Sequence, residues 1–346
     1  SRYANKFDLD DPEVIDSFAQ FIEGEQRLRF LYVHTFCDAN ATAPDLWNDH
    51  KEELHTQLFV NTLNVLEGKH ARKDPSVLKN AYTEIEVEGV PQNELIEHLD
   101  QVPERYFSHA GKEEVALHVD MVHRFAHNGN NSGKPILSWR NDVRRTLTIV
   151  DIVTRDRPAL FEKIAGGFSV AGLNILGARA VTRKDGIAID VFYVEGENGG
   201  IVNDTKTRAL CESSIHDFLE NETSPDQLIK EKRKKTDNNR PFSNEDRLGE
   251  RIPPSVDVYH DVSLARIIVE VRASDQVGLL HLIAKTISRC GFSIQFARVA
   301  TEQGIATDIF NIEKSTDGKK FSPSQFLQLR EELSESLNAG KYYLEV

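Results

Sequence analysis

The sequence has few of the residues that mark secreted, metal-binding or membrane proteins. Its 346 residues include three Cys, one Met and two Trp. Cys37, Cys211 and Cys290 are far apart and match no disulfide framework and no metal-ligand spacing. No run approaches the roughly 18 apolar residues of a membrane helix, and no secretory signal opens the chain. We therefore expect a protein of the reducing cytoplasm without a membrane partner.

The charge balance narrows the choice of partners. A formal net charge of −13 argues against nucleic acid or an anionic membrane as the main partner. The single basic cluster, KEKRKK at residues 230–235, lies in a polar stretch, so we expect a solvated, flexible linker there. The hydrophobic content of 39% with 28% charged residues is that of a globular protein, and the length allows two or three domains.

A twenty-residue segment occurs twice, as DRPALFEKIAGGFSVAGLNI at 156–175 and DQVGLLHLIAKTISRCGFSI at 275–294. Gly172 aligns with Gly291, and the match continues until one residue is lost at a charged turn, TRKDG against TEQG. Loss at a turn is what a tolerated loop change looks like. We infer two related structural modules.

The periodicity predicts an α+β fold. Residues from about 11 to 127 have helical spacing, with breaks at Pro91 and Pro103. Each repeat then reads strand–helix–strand–strand–helix, with the first helix ending at Gly172. A last strand at 341–346 would complete a ferredoxin-like βαββαβ unit. The stretch 254–262 either serves the first repeat in that way or leads the second, as 135–139 leads the first.

The repeat and the periodicity together predict four segments and a fold class. We predict a helical region at 1–132, a ferredoxin-like domain at 135–225, a polar linker at 226–253 and a second ferredoxin-like domain at 254–346. The fold class is α+β, with a helical N-terminal region followed by two βαββαβ domains.

The loop from strand to helix is the candidate binding site in each repeat. The first-turn N–H groups of a helix lack helical partners and carry partial positive charge, so a small carboxylate docks there. Alternatively, Asp156 and Asp275 are simply helix N-caps. Asn174 adds an amide in the first repeat only, because its counterpart is Phe292–Ser293. The candidate ligand-binding residues are Asp156, Arg157, Pro158, Ala159, Leu160, Asn174 and Ile175 in the first repeat, and Asp275, Gln276, Val277, Gly278, Leu279, Ser293 and Ile294 in the second.

Catalytic motifs are missing from the sequence. It has no phosphate loop, GxSxG, Cys–His arrangement or GxGxxG. We read Asp190 and Asp308, which recur in alternating strands, as outward polar positions. The spacing of His118, His123 and His127 does not favour a metal site. Asp38 differs, because it follows the apolar run FLYVHTFC on a helix. Burial of an aspartate there would cost free energy unless the carboxylate had a partner.

The repeated D-x-[PV]-[AG]-L with a following G-[LF]-[NS]-I resembles the ACT domain, a ferredoxin-like module that binds amino acids. Two such modules preceded by LYVHTFCDANATAPDLWNDHKEELHTQLF resemble the bifunctional uridylyltransferase/uridylyl-removing enzymes of PII nitrogen signalling. The NATAPDLWN block, with PERYF near Pro103, is the most specific part.

The resemblance implies a separate function for each domain of such an enzyme. In that family a nucleotidyltransferase domain adds UMP to the PII protein, an HD phosphohydrolase domain removes it, and the ACT pair senses glutamine. Asp38 corresponds to the last ligand of the HD domain's divalent metal, Mg²⁺ or Mn²⁺, which would be its missing partner. The other HD ligands and the nucleotidyltransferase domain have no counterpart here. We therefore expect a C-terminal portion that begins inside the HD domain, contains no catalytic residues and is inactive alone.

The loops depart from the family pattern D-x-P-G-L at two positions, which leaves three functions to compare. Ala159 replaces the Gly of the first loop and Val277 the Pro of the second; Ala shifts the loop if that residue needs a positive φ. The first function is a glutamine-sensing module acting on PII modification. The second is a non-sensing ACT pair that assembles within or between chains. The third, a metal-dependent phosphohydrolase, is disfavoured because only Asp38 of its metal set is present.

Overall fold

The computed structural model describes most of the chain and divides it into two compact units. The described residues are 3–4, 7–9, 11–42, 47, 49–69, 75–127, 133–221, 223–239, 253–261, 266–302, 304–314 and 323–342. One unit comprises residues 1–117 and 262–265, and the other comprises 118–261 and 266–346.

The first unit is helical. Its helices are α1 (Pro12–Ile22), α2 (Glu25–Thr42), α3 (Asp49–Leu66), α4 (Pro75–Tyr82), α5 (Gln92–Gln101), α6 (Glu104–His109) and the start of α7 (Lys112–His127). Asp11 caps α1 by accepting a hydrogen bond from the Glu13 N–H at 2.9 Å. Pro91 and Pro103 stand at the N-caps of α5 and α6, so the helix breaks predicted there are confirmed.

The second unit is built on one antiparallel sheet. Its described strands are β1 (Ile136–Asp142), β2 (Leu147–Arg155), β3 (Asn174–Thr182), β4 (Ile187–Glu195), β5 (Ser255–Asp261), β6 (Arg266–Ser274), β7 (Phe292–Glu302) and β8 (Ile305–Lys314). Their order across the sheet is β1-β2-β4-β3-β7-β8-β6-β5. Its helices are α8 (Leu160–Ala171), α9 (Thr205–Glu220), α10 (Asp226–Asn239), α11 (Leu279–Arg289) and α12 (Pro323–Tyr342). The α+β fold class is therefore confirmed.

The repeat in the sequence is a repeat in the structure. We call β1–β4 with α8 and α9 the first module, and β5–β8 with α11 and α12 the second. A register shift interrupts β3 between Ile175 and Gly177, and the same shift interrupts β7 between Ile294 and Phe296. Gly172 ends α8 in the left-handed region, as predicted from the sequence.

The edge strand of each module comes first in the chain rather than last. β1 pairs with β2, and β5 pairs with β6, so the stretch at 254–262 leads the second module. The strand predicted at 341–346 is wrong at Lys341 and Tyr342, which end α12; residues 343–346 lie outside the described residues. The helix extends because Leu329, Leu333 and Leu337 recur at four-residue spacing and are buried. Each module keeps the ferredoxin-like strand arrangement but has the order ββαββα.

The two modules join within the chain through β3 and β7. Gly177 pairs with Arg298, and Ala178 pairs with Ala297. A Cβ atom on Gly177 would lie 3.1 Å from the Ala297 carbonyl oxygen, so the small side chains permit this approach. The pairing that the sequence left open, within or between chains, thus exists within one chain.

The stretch predicted as a flexible linker contains a packed helix. α10 spans Asp226–Asn239, and Ile229 on it is buried. The remaining linker residues, 240–252, lie outside the described residues. The prediction failed because two apolar residues, Leu228 and Ile229, are a weak signal in a polar stretch. In the described parts of the chain, no helix is both long and apolar enough to cross a bilayer.

Candidate functional site

The loops that precede α8 and α11 have the same backbone hydrogen bonds. We call residues 156–160 the first loop and 275–279 the second loop. The Asp156 N–H donates to the Gly186 carbonyl at 2.9 Å, and the Asp275 N–H donates to the Gly304 carbonyl at 2.9 Å. One turn later, the Leu160 N–H donates to the Arg157 carbonyl at 3.2 Å, as the Leu279 N–H does to that of Gln276 at 3.0 Å. Both loops therefore fold alike despite their different sequences.

Ala159 adopts the backbone conformation of the glycine it replaces. Its φ is 62°, and the φ of Gly278 is 83°; both residues are the N-caps of their helices. An L-residue in this region costs roughly 1–2 kcal/mol relative to its right-handed conformation. The position does need a positive φ, but the predicted shift of the loop does not occur, because the surrounding hydrogen bonds hold Ala159 in place.

Asp156 and Asp275 are not the N-caps that the alternative reading proposed. Neither N-cap residue, Ala159 or Gly278, makes a side-chain capping bond. Asp156 is exposed instead, and its Oδ2 accepts a hydrogen bond from Thr182 Oγ1 at 3.3 Å. The first-turn N–H groups of α8, apart from that of Leu160, thus keep the general property of helix starts, a partial positive charge without a helical partner.

Asp190 and Asp308 are buried, so their interpretation as outward polar positions is wrong. Asp190 lies on the same face of β4 as Ala188 and Phe192, which belong to the hydrophobic core. Burial, reinforced by the charge of Asp156, raises the pKa of Asp190 to about 8. Burial and the charge of Asp275 likewise raise the pKa of Asp308 well above its usual range. Each module thus holds a buried carboxyl group with a raised pKa beside its exposed loop aspartate.

Strand pairing determines which candidate residues lie at the same end of the strands. The first loop follows Arg155, which pairs with Ile187 at the start of β4, whereas Asn174 pairs with Glu195 at the end of β4. The first loop and Asn174 are therefore at opposite ends of the strands, separated by the length of β4. The expected placement of Asn174 beside a ligand at the first loop is wrong.

The antiparallel pairing of β3 with β7, which we call the seam, brings each loop close to the start of a strand from the other module. Since β3 and β7 run in opposite directions, Ser293, the second residue of β7, lies at the strand ends near the first loop, and Asn174, the first residue of β3, lies at the strand ends near the second. Asn174 Nδ2 donates to the Gly196 carbonyl at 3.4 Å, and Gln295 Nε2 donates to Ser293 Oγ at 3.1 Å. Four further candidates fill the core with their side chains, which leaves only their backbone for a ligand: Leu160, Ile175, Leu279 and Ile294.

The two loops differ in what covers them. Asp156 and Pro158 are exposed, and Arg157 Nη1 donates to the Leu219 carbonyl at the end of α9 at 2.6 Å. In the second loop Gly278 is buried, Gln276 is half-buried, and the Val277 carbonyl accepts hydrogen bonds from α10. Sequence reasoning missed these α10 residues because their packing partner lies far along the chain.

The histidines of α7 have structural partners. His118 Nε2 lies 3.2 Å from Asp151 Oδ1, and Arg140 donates two hydrogen bonds to the same carboxylate, at 2.7 and 2.8 Å. Burial opposes ionisation of Asp151, but its bonds to His118 and Arg140 prevail and lower its pKa. The rings of His123 and His127 are in contact, with centroids 4.3 Å apart and planes tilted by 33°.

Asp38 is exposed on α2, so the burial that suggested a missing partner is corrected. Several apolar side chains of the same helix are also exposed, including Phe30 and Val33, which explains why the sequence pattern gave a misleading indication of burial. One exposed carboxylate does not hold a divalent ion by itself, and no chemical step is assigned to a metal at this residue.

The fold and its loops define a pair of ferredoxin-like modules, each with a helix-start loop beside a buried acid, in a chain that also has a helical unit. No family model matches the chain. It is similar to proteins named bifunctional uridylyltransferase/uridylyl-removing enzyme, which confirms the resemblance seen in the sequence. Identity is 29% with that of Phenylobacterium zucineum, over 94% of this chain and 34% of the relative. It is 29% with that of Caulobacter vibrioides, over 99% and 36%, and 27% with that of Vibrio vulnificus, over 95% and 36%.

These similarities extend over nearly the whole of this chain, but the chain spans only about a third of the length of the curated relatives it matches.

Proposed function

We propose that this chain is the regulatory portion of a uridylyltransferase/uridylyl-removing enzyme and that its first loop binds free glutamine. The single observation that carries the proposal is the conserved geometry of the two loops. Ala159 is held at a φ of 62°, and both loops keep the same hydrogen bonds although one has lost its Gly and the other its Pro. A strained backbone that is retained in this way is characteristic of a functional site.

The chemistry of the first loop suits a zwitterion. The ligand's carboxylate accepts hydrogen bonds from the first-turn N–H groups of α8, and its ammonium group faces the exposed carboxylate of Asp156. Ser293 and Gln295 lie near the start of β7, at the same end of the strands as the first loop, and offer polar groups to the side-chain amide of the ligand. The pairing of β3 with β7 supports a ligand site to which both modules contribute.

Regulation requires that glutamine bind one arrangement of the chain better than another, because a ligand shifts an equilibrium only by its differential affinity. In the proposed setting the shift controls addition of UMP to a PII protein and its hydrolytic removal. The nucleotidyltransferase active site and the HD-type metal ligands other than Asp38 would be supplied by sequence that the relatives have beyond this match.

A calorimetric titration tests the proposal. We expect heat with glutamine and at least tenfold weaker binding of glutamate, because its additional negative charge is repelled by the exposed carboxylate of Asp156. Asp156→Ala should weaken glutamine binding by at least tenfold. Asp257→Asn, an exposed aspartate on the edge strand β5, serves as the matched control and should bind like the unchanged protein. Equal heats with both amino acids, or none with glutamine, would reject the proposal.

The runner-up function is an assembly module that senses nothing. The observation in its favour is that β1 and β5 are the outer strands of the sheet and are placed to pair with another copy. It predicts a concentration-dependent mass in solution that glutamine does not change.

A further inference from the structure

Helix α10 breaks the symmetry between the two loops. It connects the modules and lies on the second loop, where a Cβ atom on Gly278 would be 2.4 Å from Ile229 Cγ2. The Arg233 guanidinium donates to the Val277 carbonyl at 2.8 and 3.3 Å. An apolar side chain and a cation of the chain itself therefore cover the start of α11.

Further contacts fix α10 in this position. Asp226 at its first turn bonds His281 Nε2 at 3.0 Å and also accepts a hydrogen bond from Lys285; both partners are on α11. These bonds prevail over burial and lower the pKa of Asp226. Lys232 Nζ lies 3.5 Å from a Glu197 carboxylate oxygen of the first module. α10 is thus held by both modules.

The contact at Gly278 is too close for a ligand to share. Ordinary van der Waals contact between carbon atoms begins at about 3.5 Å. Ile229 already occupies the space in which even a single methyl group on Gly278 would stand. A ligand that approaches the start of α11 over Gly278 would therefore meet Ile229 first. In the first loop the equivalent residue, Ala159, carries a methyl group and is only half-buried, and Pro158 beside it is exposed.

We propose that α10 is an intramolecular plug for the second loop. The inference rests on the proposed function. A free amino acid enters the first loop, and the second loop becomes a second site for the same class of ligand only when Ile229 and Arg233 leave it. The repeat in this chain therefore contains one open site and one that its own connecting helix closes.

The stoichiometry of glutamine binding tests the plug. By calorimetry the unchanged protein should bind one glutamine per chain, and the double variant Ile229→Ala with Arg233→Ala should bind two. Lys234→Ala removes one positive charge from an exposed position of the same helix and should bind one. Two sites in the unchanged protein, or one in the double variant, would overturn the plug. If the double variant loses its circular dichroism spectrum, Ile229→Ala alone, which removes the atom nearest to Gly278, replaces it with the same expectation.

Hydrogen exchange separates a failure of the plug from a failure of glutamine binding. Without any ligand, amides of residues 276–280 should exchange at least tenfold faster in the double variant than in the unchanged protein. Amides of 157–161 should keep their rates, and Lys234→Ala should change neither segment. Unchanged exchange at 276–280 overturns the plug whatever glutamine does. Absence of glutamine heat in every variant overturns the ligand step together with the proposed function.

Discussion

Asp190 and Asp308 are the residues whose chemistry departs most from what their sequence context suggests. The sequence pattern of their strands predicts that both side chains face water, yet they are 3% and 1% exposed. Neither carboxylate oxygen of Asp308 has a hydrogen-bond partner among the described residues. A buried acid without a partner costs several kcal/mol when ionised, so it stays protonated instead.

The burial of Asp190 makes stability depend on pH in a definite direction. Its folded pKa is about 8, above the value near 4 of an unfolded aspartate, so the folded state binds more protons between these limits. Stability therefore falls as pH rises from about 4 to 8, by up to roughly 1.4 kcal/mol per pH unit for this group.

Asp190→Asn mimics the protonated acid and should remove this contribution. We expect its melting temperature to exceed that of the unchanged protein increasingly from pH 5 to pH 8, in scanning calorimetry at several pH values. Asp257→Asn, which alters an exposed position, should show no such widening difference. A difference that stays constant with pH would contradict the buried-acid account.

Individual residues show which features could be predicted from the sequence and which could not. Gly172 was correctly predicted as the end of a helix, because left-handed glycines at C-caps follow a local rule. The burial of Asp190 and the exposure of Asp38 could not be predicted locally, since each depends on which helix covers a given face. The candidates Leu160 and Ile175 illustrate a related limit: a motif identifies a segment but does not separate its core residues from its binding residues.

At the scale of elements, α8 is the helix on which the arrangement of its neighbours depends. A Cβ atom on Gly166 would lie 2.5 Å from Pro225 Cγ, just before α10, and one on Gly167 would lie 2.3 Å from Ile215 Cγ1 on α9. Two adjacent glycines thus let two helices approach α8 closely. In the sequence they resemble weak helix positions, and only the packing explains them.

Gly167→Ala should destabilise the second unit although alanine is the better helix former. The added methyl group must displace Ile215, which costs typically 1–3 kcal/mol. Urea unfolding followed by circular dichroism should show a lower midpoint. The control is Gly111→Ala, where no heavy atom lies within 4 Å of the new Cβ, so no loss from crowding is expected. Equal midpoints for the two variants would show that α8 and α9 do not meet as described.

At the scale of the whole molecule, the repeat predicted the two modules and their internal order of helices and hairpins, and the structure confirms both. It left open whether the stretch 254–262 leads the second module, as 135–139 leads the first, because β1 and β5 are chosen by pairing across the sheet rather than by local pattern. It also missed that β3 and β7 unite the modules and that α10 closes one loop. These features depend on contacts between residues far apart in sequence.

The central claim is that glutamine enters the first loop between the joined modules. Hydrogen exchange of the unchanged protein, with and without saturating glutamine, tests it most directly. We predict that amides of residues 157–161 and of 292–295 slow on addition of glutamine, while those of 276–280 keep their rates. Protection confined to 276–280, or no protection in either loop, would contradict the account.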